Sequence, residues 1–168
     1  MAPLKLKGDR AEIEVARDLI RRGFRIAIPY GEDWDFDLIF ARPGSERLER
    51  VQVKHATARR GLIEVRACSA SLTNGKVRCV KQYTARTIDW LAAFDPVSDR
   101  CYYISATELG SGMSRVSLRL TSPRNGQRIG IRFAGDYLDP EPRERAFEVE
   151  PAGIEPATFA LQTRRSPN

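Results

Sequence analysis

Apolar positions recur with a helical period near the start of the chain and with a period of two along much of the remainder. The helical spacing predicts a helix from about Asp9 to Arg22, closed by Gly23. At about 100° per residue, Ile13, Val15, Ala16, Leu19 and Ile20 fall on one side, with Glu14, Arg17, Asp18 and Arg21 on the other. Glu12 interrupts the apolar stripe. It is predicted to point inward with Ala16 and Leu19, where a carboxylate needs a cation, a metal or a hydrogen-bond donor. The competing account places Glu12 in the first turn, favoured only by the positive end of the helix dipole.

Strand periods come next. "FRIAIP" predicts a short strand ending at Pro29, and the acidic turn "YGEDWD" leads into a second strand, Phe36 to Ala41. A third runs from about Leu48 to His55, and the basic loop "ATARRG" separates it from a fourth, "LIEVRA". One helix and four closely spaced strands predict an α/β domain with a mixed, hairpin-rich sheet. Farther on, "TIDWLAAFDP" fits a helix or a strand. The strand is favoured because "DPVSDR" is a turn and "CYYIS" a strand, giving a hairpin. Ser105 with Glu108 has capping-box spacing for a short helix. "RVSLRLTSPRNGQRIGIRFA" predicts another hairpin turning at Asn125-Gly126. Arg119 and Arg132 would lie near its arms, and Arg124 and Arg128 near its tip. Such a basic finger serves either as a DNA backbone contact or simply as a solvated hairpin. The pattern decays after Asp139. Residues 1–150 are therefore expected to form one domain, with 151–168 a disordered tail outside it.

Composition narrows the classes. At 168 residues, 42% hydrophobic and 30% charged, the chain can bury a sizeable core. No apolar run approaches the roughly 18 residues of a membrane span, and the N-terminus lacks an apolar signal core, so a cytoplasmic protein is expected. Cys68, Cys79 and Cys101 are odd in number and widely spaced, which speaks against disulfides or a zinc site. A net charge of +6 favours a polyanionic partner, although 23 Arg against 5 Lys is also what a GC-rich genome produces. His55 is the only histidine, which excludes chemistries built on several.

Candidate chemistry centres on "RVQVKHA", residues 50–56. Alternation puts Val51 and Val53 on one face of the strand and Gln52 and Lys54 on the other. An acid at the start of one strand, Asp37, followed by a polar-x-Lys pair on the next, is the arrangement a metal-dependent phosphodiesterase needs. Mg2+ takes oxygen ligands, one or two of them carboxylates. A lysine beside it orients or deprotonates water, or neutralises charge on the phosphate. The main-chain carbonyl of Val53 is a further candidate ligand.

In these elements the chain resembles the PD-(D/E)xK nuclease superfamily, in the branch that includes group I intron homing endonucleases. "KGDRAE" followed by "RRGF" is similar to that family's first helix, "FDLIF" to the strand carrying its catalytic acid, and "RVQVKHA" to its "VQVK" signature. "IDWLAAFDPVSDRCYYIS" and "SLRLTSPRNGQRIGIRFAGDY" resemble its later strands and basic hairpin. The resemblance runs from about Lys7 to Tyr137. It implies a restriction-endonuclease-like α/β core, a mixed sheet flanked by helices. It also implies an Mg2+-dependent DNA endonuclease, with Mn2+ as a substitute, and a homodimer or homotetramer acting on double-stranded DNA. By the same resemblance Asp37 is the main metal ligand, Glu12 a second or water-mediated one, and Lys54 the catalytic lysine. Gln52 stands where the wider superfamily has Glu or Asp, which removes one negative charge from the metal. Asp33 and Asp35 are read as solvated turn residues. Arg59, Arg60, Arg119, Arg124 and Arg128 are the candidate DNA contacts. A Holliday-junction resolvase-like nuclease and a non-catalytic DNA-binding protein with a degenerate site are the alternatives.

Overall fold

The computed structural model describes residues 4–31, 33–73, 76–122 and 130–141; side chains are described except for residues 4 and 70–80. The expected tail, 151–168, lies outside the described residues.

Among the described residues one α-helix, α1 (Leu4–Arg21), precedes nine strands: β1 (Arg25–Ala27), β2 (Leu38–Ala41), β3 (Leu48–His55), β4 (Leu62–Arg66), β5 (Cys68–Thr73), β6 (Lys76–Gln82), β7 (Trp90–Asp95), β8 (Arg100–Ser105) and β9 (Arg115–Arg119). The main sheet has the order β1-β2-β3-β7-β8. All its neighbours are antiparallel except β3 and β7, which run parallel with Gln52 opposite Leu91 and Lys54 opposite Ala93. A parallel pair needs a long crossover. Here the described residues between β3 and β7 supply it with the strands β4, β5 and β6 and with no helix.

Helix α1 begins five residues earlier than its periodicity indicates. Its end is as expected. Gly23 has φ of +81°, and the Phe24 amide returns to the Leu19 carbonyl at 3.1 Å. The buried positions are Ala11, Val15 and Leu19, packed on Val51, Val53, Trp90, Ala92 and Tyr103. Ile13 and Ile20, expected inside, are exposed instead. The i, i+4, i+8 row of Ala11 is buried on the sheet, with Ala16 partly buried beside it, and the helix leaves Ile13 and Ile20 uncovered.

The opposite face of the sheet is covered by strands. β4 and β9 form an antiparallel ribbon whose inner residues Ile63, Val65, Val116 and Leu118 pack with Leu91, Ala93, Tyr102 and Ile104. β9 thus pairs with β4, where the sequence pattern indicates a hairpin with the segment after it. Among the described residues that segment pairs with β9 through a single parallel bridge, Arg119 with Phe133, where the Arg119 amide donates to the Arg132 carbonyl at 2.7 Å. The predicted Asn125-Gly126 turn lies outside them. β5 and β6 form a further ribbon.

Candidate active site

The site forms where the sheet forks. β2 and β3 pair from Ala41 opposite Leu48 to Leu38 opposite Val51, and the Asp37 amide still donates to the Val51 carbonyl at 2.9 Å. There β2 ends: Phe36, just before Asp37, packs instead on the core at the opposite face of the sheet and against the Trp34 ring. The Val53 amide consequently has no β2 carbonyl to reach. It donates instead to Oδ2 of Asp37, at 2.7 Å. Nε2 of Gln52 donates to the same oxygen. Asp37 is thus fixed by the strand it has just left.

Gln52 and Lys54 leave β3 on the face opposite Val51 and Val53, but neither face is open to solvent: Gln52 is only 6% exposed. The "VQVK" alternation separates two packed environments. Nζ of Lys54 lies 5.0 Å from the ring centroid of Tyr83, a cation–π contact. Glu12 reaches the same cleft from α1, half-buried at the border of the apolar row. With Lys7, Gly8, His55 and Thr57 these groups line an open cleft of about 390 Å³.

The electrostatics set these groups apart from surface charges. Burial raises the Asp37 carboxyl above its ordinary range, against the pull of the Val53 amide and the Lys54 charge. Glu12 is raised too, by burial first and then by the neighbouring charges of Asp37 and Asp9, with Lys54 opposing. Burial lowers Lys54; the Asp37 charge resists that and Arg66 adds to it. Two carboxylates whose ionised forms are disfavoured share a cleft with one buried amine. A cation with oxygen ligands would relieve both acids. The donors present, namely two carboxylates, the Val53 carbonyl and Oε1 of Gln52, are hard oxygens of the kind such a cation takes.

Other expected residues fall elsewhere. Asp35 pairs with Lys81, so it has a structural partner, and Asp33 is exposed. Arg59 and Arg60 form the tip of the turn into β4. The Arg59 amide donates to the Leu62 carbonyl at 2.8 Å, and Arg60 adopts φ of +50°, a left-handed conformation uncommon outside glycine. Arg119, opposite Leu62, ends the same ribbon. Arg124 and Arg128 lie outside the described residues. Sequence reasoning missed Arg66 and Arg115, which face outward from β4 and β9 beside Lys54 and His55. Their alternation with buried valines is visible in the sequence. Their meeting across strands 49 positions apart is not.

Comparison with known proteins agrees with this layout. The chain matches the PD-(D/E)XK endonuclease family model over residues 3–140. No curated protein matches it. Among solved structures it is similar to a bacterial homing endonuclease, I-Ssp6803I. The TM-score is 0.65 and the identity 22%, over 81% of this chain and 88% of that one, a likeness of fold. The fold therefore has a known counterpart, and the family match spans every residue of the cleft: the chain belongs to the PD-(D/E)XK endonuclease family and is a nuclease.

Proposed function

We propose that this nuclease is an Mg2+-dependent endonuclease of the homing or restriction type, hydrolysing phosphodiester bonds in double-stranded DNA, with Mn2+ able to replace Mg2+. The observation that carries the reading is the pair of partly buried acids, Asp37 and Glu12, held beside Lys54 at the fork. Asp37, Glu12 and the Val53 carbonyl would hold the cation. Bound there, it would supply Lewis-acid stabilisation of the phosphate and acidify water. Lys54, poised by burial to shed its proton, takes a proton from the attacking water as the water oxygen bonds to phosphorus and an ester oxygen leaves. Gln52 keeps Asp37 oriented and adds no charge. Arg59, Arg60, Arg119, Arg124 and Arg128 contact the DNA backbone. Residues 1–150 form the catalytic domain, and a cytoplasmic setting suits its substrate. No helix among the described residues is long and apolar enough to cross a membrane.

Supercoiled plasmid incubated with the purified chain is expected to be nicked with Mg2+ and left intact in EDTA. Salt-sensitive binding without nicking would assign a non-catalytic DNA-binding protein instead. A strong preference for four-way junctions over duplex would assign the resolvase type.

Two strands call for two sites, and a homodimer or homotetramer supplies them. Ile13, Ile20 and Ile28 are 67%, 55% and 73% exposed and line a groove along α1. Asp9 and Glu12 stand at one end of that groove and Arg21 at the other, with Arg17 alongside. Two copies crossing antiparallel would set Asp9 against the partner's arginines over a shared apolar seam, leaving Glu12 to the cleft. Light scattering is expected to give a mass at least twice that of one chain, falling to the monomer in Ile13→Glu/Ile20→Glu. A monomeric wild type would rule this assembly out.

A further inference from the structure

The β4–β9 ribbon contains an electrostatic conflict that the fold does not resolve. Arg66 and Arg115 are directly opposed across the two strands. Like charges at opposed positions destabilise a strand pair. The inner residues of the same strands, Val65 and Val116, are buried, so both guanidinium groups are turned to the outer face. Arg115 has a partial answer in Glu64, at 3.6 Å, but both side chains are more than half exposed and that pair is weak. No carboxylate pairs with Arg66 among the described residues. Between the ribbon and the end of β3 lies a depression of about 340 Å³ lined by Lys54, His55, Glu64, Arg66 and Arg115. It adjoins the cleft of Asp37 and Glu12 through Lys54 and His55, which line both. Two arginines therefore gather beside Lys54, with a single acid, next to the candidate cleavage centre.

The geometry points to a phosphodiester-binding subsite formed by Arg66 and Arg115, which holds the DNA backbone phosphate adjoining the one that Lys54 faces. The subsite rests on the proposed nuclease function and adds to it the residues that set the register of the backbone. Guanidinium groups suit the task, since each presents a planar fork of donors that matches phosphate oxygens. A bound phosphate would place negative charge between two arginines that otherwise repel. It would also seat the outer face of a two-stranded ribbon, an element that the major groove of B-DNA admits, against the duplex. The ribbon's remaining exposed cations, Arg59 and Arg60 at its turn, would extend the same track.

The test uses the full chain and a random-sequence 30-base-pair duplex in EDTA, where binding is read without cleavage. Arg66→Gln, Arg115→Gln and the double variant are compared with Arg25→Gln, an equal charge change on the edge strand β1, opposite Ala41 at the far end of β2 from Asp37. The slope of log affinity against log salt is expected to become shallower by about one for each arginine removed at the subsite. The double variant should bind about tenfold more weakly at moderate salt. Its melting temperature should be unchanged or higher, because a repulsive pair has been removed. Affinity and slope no different from Arg25→Gln would overturn the subsite, as would weakened binding that came with a lower melting temperature. Plasmid nicking on the same preparations separates the two readings. Wild type that nicks while the double variant binds normally removes the subsite alone. Wild type that neither binds nor nicks removes the nuclease reading with it.

Discussion

Replacing Asp37 with asparagine is expected to lower Mg2+-supported plasmid nicking by more than about 100-fold, since even groups that only support a metal ligand are worth 10- to 100-fold. The same change should leave the metal-free protein at least as stable as wild type. Asparagine keeps an oxygen where Oδ2 of Asp37 accepts the Val53 amide at 2.7 Å, so the fork stays closed. It also removes the charge that burial disfavours. The sign follows from the raised carboxyl of Asp37. A folded-state pKa above the unfolded one gives stability that is present below the ordinary value near 3.8 and lost as pH rises through the raised value. At neutral pH the wild type has lost that contribution and the variant has nothing to lose. Mg2+ should then raise the melting temperature of wild type and leave that of Asp37→Asn where it was. Nicking equal to wild type would remove Asp37 from the site. A large drop in melting temperature in EDTA would show the carboxylate to be structural.

Much of this arrangement is legible in the sequence because it is local. β3 is predicted with its observed ends, Leu48 and His55, because alternation and β-branched residues agree along it. The β7–β8 hairpin is legible through its turn, which favours a strand for β7 where its own pattern also fits a helix; Asp95 caps that turn, accepting the Val97 and Ser98 amides, each at 3.1 Å. Glu12 stands out as a break in a helical stripe. The stripe itself misleads, because a period of 3.6 marks which residues can share a face and not which face the sheet covers. Ile13 and Ile20 share a side of α1, but the sheet packs on the side of Ala11, Val15 and Leu19. The layer opposite α1 is hidden as well. Its core positions, Ile63 and Val65 on β4 and Val116 and Leu118 on β9, are brought together only by pairing across some fifty residues, which no local pattern announces. The β5–β6 ribbon escapes notice for a related reason: "CSASLT" and "KVRCVKQ" alternate weakly, and their pairing shifts register between Ser69 and Ala70. Local chemistry can be read at the active centre. The β4–β9 surface proposed to present DNA to it cannot, because its residues become neighbours only on folding.

Lys54→Ala is the second decisive substitution, and its expected signature is in the turnover number more than in substrate affinity. The Nζ lies under competing influences. Burial and Arg66 lower its pKa from the ordinary value of 10.5, the charges of Asp37 and Glu12 raise it, and the Tyr83 ring face also favours the ammonium. The balance is a lowered value, so Lys54 gives up its proton at a lower pH than a surface lysine does. If the uncharged amine takes the proton from water, kcat climbs as pH rises through that lowered value and levels off above it. Alanine should remove this alkaline limb and lower kcat by about 10²- to 10³-fold, with KM little changed. Lys54→Arg should fail to rescue, because a guanidinium stays protonated throughout the working range. Lys54→Ala also separates base from clamp: a clamp lost with the side chain raises KM, and an electrostatic stabiliser gives a wild-type rate that falls along the limb. A limb that rises in wild type and is absent from Lys54→Ala is the result that assigns Lys54 the proton. It would also explain why the fold holds a partly buried amine in a cleft with two acids whose charged forms burial disfavours.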